Sequence, residues 1–236
     1  MKQLISFLIF FIFTNYVKSQ SILIDPGHGG SEEGAKVLSD NELPILEKDL
    51  SLKLSFFLKK ELSDLGYETF LSREDDSDHS LATRAMMATE LDVDLFLSIH
   101  FNWSPSKDAN GFEVYYLTNK KQKVKKKIKK ENPNHLSDDS SINDILLDLI
   151  VDKTSNNSEK LAQNIFENLE EGLFDHSMEG RSIKEGNFYV LALSKTPGVL
   201  IELGFMSNKK DLKQMTNDQF LIDAAKSIAS GVRSFF

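Results

Sequence analysis

No cysteine occurs among the 236 residues. The chain therefore has no disulfide framework, no thiolate metal site, no cysteine nucleophile and no thiol for lipid attachment. Any metal is left to His, Asp and Glu. An excess of basic charge is also missing: 28 Lys and Arg stand against 36 Asp and Glu, a formal net charge of −8. That excludes nucleic acid as the default partner, because such domains are usually net basic. Nor does the N-terminal apolar run reach the roughly 20 residues that a bilayer core requires. Leu4 to Phe13 is short and holds Ser6; Lys2 precedes it, and Val17 and Ser19 follow at the small-residue positions of a cleavage site. Residues 1–19 are expected to be a secretory signal peptide, with Gln20 as the new N-terminus and no stable membrane span after cleavage. Two lysines and no acid leave with it, so the mature chain carries −10. The expected location is outside the cytoplasm, periplasmic or extracellular.

What is present is a globular composition, 40% hydrophobic and 27% charged, at a length suited to one domain. SILID (21–25) is an apolar run stopped by Pro26-Gly27, and it reads as a buried strand. Leu46, Leu50, Leu54, Phe57, Leu58, Leu62 and Leu65 recur at helical spacing up to Gly66, a natural C-terminal cap. Residues 67–71 read as a strand, and Ser80 can cap a helix to about Glu90. Further strands are predicted at 93–99, 112–117, 187–193 and 199–202, and a final amphipathic helix from Asp218 to Phe236. This alternation predicts an α/β fold: a single domain whose central, largely parallel or mixed sheet is flanked by helices. Residues 119–180 break the rhythm. A Lys-rich run (Lys120–Lys130) and a polar loop lead into a helix carrying Ile142, Ile145, Leu146, Leu149 and Ile150. After a second polar break, DKTSNNS, another helix is capped by Ser158. The stretch reads as a helical insertion.

Ligands in open α/β sheets gather at the carboxyl ends of strands. Four polar residues fall there: His28 in DPGHGG, Glu47 at the first helix, His100 in SIHFNW and Glu202 in IELGF. Two His and a carboxylate are a common catalytic zinc set, and a further carboxylate can move a proton. Each has a plainer reading, as a hydrogen-bonded histidine, a helix-dipole partner or a solvated strand-end acid. The compact HExxH signal is absent. His79, His135 and His176 lie in polar stretches and read as surface residues, with His176 a candidate support for the site.

The segments ILIDPGHGGSEEGA (22–35), LEKDLSLKLS (46–55), FLSREDD (70–76), SLATRAMMA (80–88), DLFLSIHFNWS (94–104), GFEVYYL (111–117) and VLIELGFMSN (199–208) resemble the zinc-dependent N-acetylmuramoyl-L-alanine amidases, cell-wall hydrolases of the amidase-3 type. The resemblance spans nearly all of the mature chain. It implies one Zn²⁺ per chain held by His28, Glu47 and His100, with Glu202 as the catalytic acid–base. The implied reaction is hydrolysis of the peptidoglycan amide joining the lactyl group of N-acetylmuramic acid to L-alanine of the stem peptide. Asn102, Arg73 and Arg84 match supporting positions, and Trp103 is a further supporting candidate that could line the groove and pack on sugar or peptide. The arginines are expected to be structural, paired with Asp75, Asp76 or Asp94. Phe101 and Trp103 stand where small residues are common. A stem-peptide carboxypeptidase or endopeptidase, and a non-catalytic wall-binding or regulatory module, are the alternatives. The GHGG and SIH segments and the four occupied positions favour the amidase.

The insertion resembles, more loosely, the helical regulatory segment of amidases that separate daughter cells. That implies an autoinhibitory element displaced by an activator protein, with Asp138, Asp139 or Asp144 as the blocking acid, and a role in wall remodelling or cell separation. The Lys120–Lys130 run reads as a solvated segment, or as a site for wall polymer, membrane surface or an acidic partner.

Overall fold

A computed structural model describes residues 19–39, 41–117 and 140–236, with the backbone alone for 140–153. The signal-peptide segment up to residue 18, the Lys120–Lys130 run, His135, Asp138 and Asp139 lie outside the described residues, as does the side chain of Asp144.

Strand β1 (Ser21–Pro26) is buried along its whole length. A small antiparallel pair follows, β2 (Lys36–Leu38) with β3 (Pro44–Leu46). Helix α1 (Glu47–Asp64) starts directly after it, and Gly66, at φ +92°, takes the chain out of the helix. The hydroxyl of Ser80 accepts from the Thr83 N–H and caps α2 (Leu81–Glu90), as the sequence predicts. With β4 (Glu68–Leu71), β5 (Leu95–Asn102), β6 (Phe112–Leu117), β7 (Gly180–Gly186) and β8 (Gly198–Phe205), β1 builds one six-stranded sheet in the order β4-β1-β5-β8-β6-β7. The first four strands are parallel; β6 runs antiparallel to β8, and β7 parallel to β6. The sheet is therefore mixed. The remaining helices are α3 (Ser140–Gly172), α4 (Tyr189–Leu193), α5 (Lys209–Met215) and α6 (Asp218–Phe235).

Strand residues alternate between two cores. Ile22, Ile24, Leu95, Leu97 and Ile99 pack with the buried leucines of α1, with Leu161, Ile165 and Leu169 of α3 and with the apolar stripe of α6. Leu23, Phe96 and Leu200 pack on the opposite face with Ala85 and Ala88 of α2 and with α4. Period-2 alternation then puts Asp25, His100, Asn102, Glu202 and Glu113 on this second face, toward or beyond the carboxyl ends of β1, β5 and β8.

Three local readings differ from the structure. NFYVLAL (187–193) is the short helix α4, not a strand. Tyr189, Val190, Leu191 and Ala192 are all buried, and a continuous apolar run suits a buried helix as well as a strand. The strand lies just before it, in GRSIKEG, where exposed and charged residues at a sheet edge conceal the pattern. The two helices expected around DKTSNNS are one helix of 33 residues. Its polar residues do not break it. The Ser155 hydroxyl donates to the Leu117 carbonyl at 3.0 Å, and the Ser158 hydroxyl accepts from the Gly198 N–H at 3.0 Å. They serve the open ends of β6 and β8. Leu161, Ile165 and Leu169 are fully buried, so this half of the expected insertion is part of the core. Phe236, expected on the buried stripe of the last helix, is 46% exposed.

Candidate metal centre and catalytic cleft

The centre begins where β1 ends. After Pro26 the chain turns through His28 (φ +59°), Gly29 (φ +130°) and Gly30 (φ +58°), three successive residues in a region that L side chains avoid. Two buried guanidinium groups hold this turn. Arg84 donates to the carbonyls of Pro26, His28 and His79 and pairs with Asp25 at 2.8 Å. Arg73 donates to the carbonyls of Pro26, Gly27, Lys48 and Asp75. The arginines are structural, as expected, but the expected partners differ. Arg84 pairs with Asp25; Arg73 takes the backbone carbonyl of Asp75, not its carboxylate. Asp76 is taken by Lys48 and the Gly30 N–H, and Asp94 by the N–H of Ser21. Asp25 was missed by sequence reasoning. It is 1% exposed and accepts from Ser72, Ser98 and Arg84, so its charge is fully compensated. An acid at the end of an otherwise apolar strand is the signal that could have found it.

Glu47 opens α1, whose preceding residue, Leu46, supplies no side-chain cap. Its carboxylate is instead turned inward. Oε1 lies 2.9 Å from His28 Nε2 and 2.9 Å from His100 Nδ1, and it accepts from the Phe101 N–H. Oε2 accepts from the Ala35 N–H at 2.8 Å. The two imidazoles meet edge to face, with centroids 4.9 Å apart. One donor atom from each of His28, Glu47 and His100 lies within 4.8 Å of the other two, and these three form the candidate metal cluster found among the described residues. Burial opposes ionisation of Glu47, but the hydrogen bonds from His100 and His28 outweigh it and hold the carboxyl well below the usual range. Burial likewise opposes a charge on His100, yet the Glu47 bond and the Glu202 charge leave its pKa raised. Two glycines make the room. A Cβ on Gly27 would sit 2.3 Å from His100 Cε1, and one on Gly34 would sit 2.6 Å from Glu47 Oε2.

Glu202 lies beside His100 in the β5–β8 register. Its Oε2 is buried with no hydrogen-bond partner. Burial, with the charges of Glu47 and Glu113 adding to it, pushes its pKa up to about 7 against the pull of His100 and His28. Its neighbour across β6 is Glu113, again unforeseen from sequence. Glu113 accepts from Tyr115, Asn102, Arg181 and Lys184. Burial works to raise its pKa, and the bonds from Lys184 and Tyr115 overcome that and lower it. The Asn102 amide donates to Glu113 and accepts the Trp103 N–H, so it orients the chain after the bulge in β5. Trp103 is half exposed and lines a cleft of about 310 Å³ together with His28, Glu47, His100, Glu202 and Phe188. Phe101 is buried in the core below. His176 does not support this cleft. It bonds Asp223 at 3.1 Å, on α6.

The profile of the N-acetylmuramoyl-L-alanine amidases matches residues 22–234, almost the whole described chain. The chain belongs to this amidase family. The AmiC amidase of Neisseria meningitidis serogroup B is 32% identical over 91% of this chain and 52% of its own length. The LytC amidase of Bacillus subtilis is 31% identical over 94% of this chain and 36% of its own length. The chain thus spans about half of one curated relative and about a third of the other. Among solved structures, the N-acetylmuramoyl-L-alanine amidase of Clostridium difficile 630 superposes with a TM-score of 0.69 at 28% identity, covering 92% of this chain and 96% of that one. The catalytic domain of the CwlV amidase from Paenibacillus polymyxa gives 0.70 at 25% identity, over 92% and 97%. The amidase fold expected from the sequence is therefore the observed one.

Proposed function

We propose that this chain is an exported zinc amidase that cleaves the bond between N-acetylmuramic acid and L-alanine in peptidoglycan, in wall remodelling or daughter-cell separation. The observation that carries the reading is the convergence of His28, Glu47 and His100 beside Glu202, whose Oε2 is buried and unpartnered, on an amidase scaffold. Two imidazoles and a carboxylate fit a catalytic zinc, and the chain has no thiolate to offer instead. When bound there, one zinc per chain supplies electrophilic polarisation of the amide carbonyl and acidifies water. The protein's own share is proton movement and placement. Glu202, beside the candidate ligands, accepts a proton on a carboxylate oxygen and returns it to the departing amine. Phe188 and Trp103 shape the cleft around it, and the Arg73–Arg84 clamp keeps His28 in its strained conformation.

Glu202→Ala is expected to bind zinc with wild-type stoichiometry and to lose roughly 10²–10⁴-fold in rate on purified peptidoglycan. A variant that is as active as wild type, or that has lost the metal, contradicts the assigned role.

Regulation by the 119–180 segment and an activator is part of this reading. Because residues 154–172 belong to the core, deleting the whole segment does not test it. Replacing Asp138, Asp139 and Asp144 together by Asn does. Faster basal turnover supports an inhibitory acid, and an unchanged rate removes it.

A further inference from the structure

A second groove, of about 950 Å³, shares Trp103 with the cleft. Four lysines border it, Lys36, Lys107, Lys209 and Lys210, against a single acid, Asp108. Lys36 is held by Glu33 at 3.0 Å. The other three are exposed, and among the described residues none of them forms an ion pair. This excess of cations stands on a chain whose formal net charge is −8. Nothing in the fold asks for it. Lys209 and Lys210 open the first turn of α5, where the helix dipole disfavours positive charge. Between the cations lie the apolar Val37, Leu38, Met206 and Leu212 and the uncharged polar Asn110, Ser207 and Asn208. Cations around a mixed, uncharged floor suit an extended chain bearing carboxylates.

We propose that this groove binds the carboxylate-bearing peptide arm of the substrate, with Lys107, Lys209 and Lys210 as its specificity residues. The inference rests on the amidase reading above. The bond to be cut joins an N-acetylated sugar strand, which is uncharged, to a peptide with free carboxylates. Charge complementarity therefore assigns the basic groove to the peptide, and Trp103 marks the boundary between cleavage site and peptide subsite.

Trp103 is the only tryptophan, so its fluorescence reports occupancy at this boundary. The full chain carrying Glu202→Gln is titrated with a stem peptide bearing free carboxylates and with the same peptide fully amidated. Both titrations are repeated with Lys107→Glu, Lys209→Glu and Lys210→Glu combined, and with the three Lys→Gln changes. Melting curves confirm that each variant is folded. The free-acid peptide should bind the charge-reversed protein at least tenfold more weakly than its parent. The Lys→Gln protein should fall between, and the parent's affinity should drop as salt rises. Equal affinity of parent and variants for the free-acid peptide overturns the proposal. So does equal binding of the free and amidated peptides by the parent, or lysine-dependent binding of a phosphate-rich wall polymer but not of the peptide. Peptidoglycan digestion by the zinc-loaded wild type separates the two readings. Digestion without lysine-dependent peptide binding retires the groove alone; lysine-dependent binding without digestion, even with Asp138, Asp139 and Asp144 replaced by Asn, retires the amidase and leaves the groove as a peptide site with no part in cleavage.

Discussion

Glu202 shows how one side chain's surroundings set its chemistry. A carboxylate with a buried oxygen and no donor is costly to ionise. Its pKa rises from 4.5 to about 7 in the folded chain. Below pH 4.5 the group is protonated in both states and contributes nothing to the balance. Between 4.5 and 7 the unfolded chain gives up its proton first, so stability falls as pH rises, and above 7 the cost is complete. Metal-free Glu202→Gln should therefore match metal-free wild type at pH 4 and be more stable at pH 8, by up to about 3 kcal/mol. Thermal unfolding at the two pH values reads this directly; a difference that does not change with pH contradicts it. The glycines make the complementary case. Gly27→Ala drives a methyl group into the His100 ring, 2.3 Å from Cε1. The expected result is loss of zinc stoichiometry in metal analysis together with a lowered melting temperature. A variant that keeps both would show that His100 has room to move and is not a fixed ligand.

At the scale of elements, the turn after β1 and the long helix α3 show what the sequence reveals and what it conceals. The boundaries of β1, α1, α2 and β6 were legible because each has a local cause: an apolar run stopped by Pro-Gly, a leucine stripe ended by Gly66, a Ser80 cap, and an Asn-Gly turn before the strand. The four residues expected at the site do come together, near the carboxyl ends of β1, β5 and β8 and at the start of α1, although His100 and Glu202 lie inside β5 and β8, which continue two and three residues beyond them. Their roles were readable from the family resemblance, not from spacing. The supports were legible only in part. Arg73 and Arg84 were expected to be structural but not on these partners, and Asp25 and Glu113 were missed, because no spacing rule announces Arg84 on the carbonyl of His28 or Lys184 on Glu113 across tens of residues. Helix α3 was misread for the same reason. Its serines look like a break until the strand ends they satisfy are in view. Ser158→Ala leaves the Gly198 N–H buried without an acceptor and should cost about 1–3 kcal/mol in denaturant unfolding. Retained stability would mean that Gly198 finds another partner.

Across the whole molecule, the mixed sheet places three candidate ligands and one acid from four separate segments near the ends of neighbouring strands and the start of α1, and Trp103 there borders both the cleft and a basic groove. The net negative charge hides that groove, just as it hides the Lys120–Lys130 run. The amidase family match covers residues 22–234. Among the described residues no helix is long and apolar enough to cross a membrane. The account turns on which bond the cleft breaks. Mass spectrometry of the soluble fragments released from purified peptidoglycan by the zinc-loaded protein tests this most directly. The account predicts intact stem peptides with a free L-alanine amino terminus, and sugar strands left with the lactyl carboxylate. Fragments cut within the peptide, or no release by the zinc-loaded and folded protein even when Asp138, Asp139 and Asp144 are replaced by Asn, would contradict it.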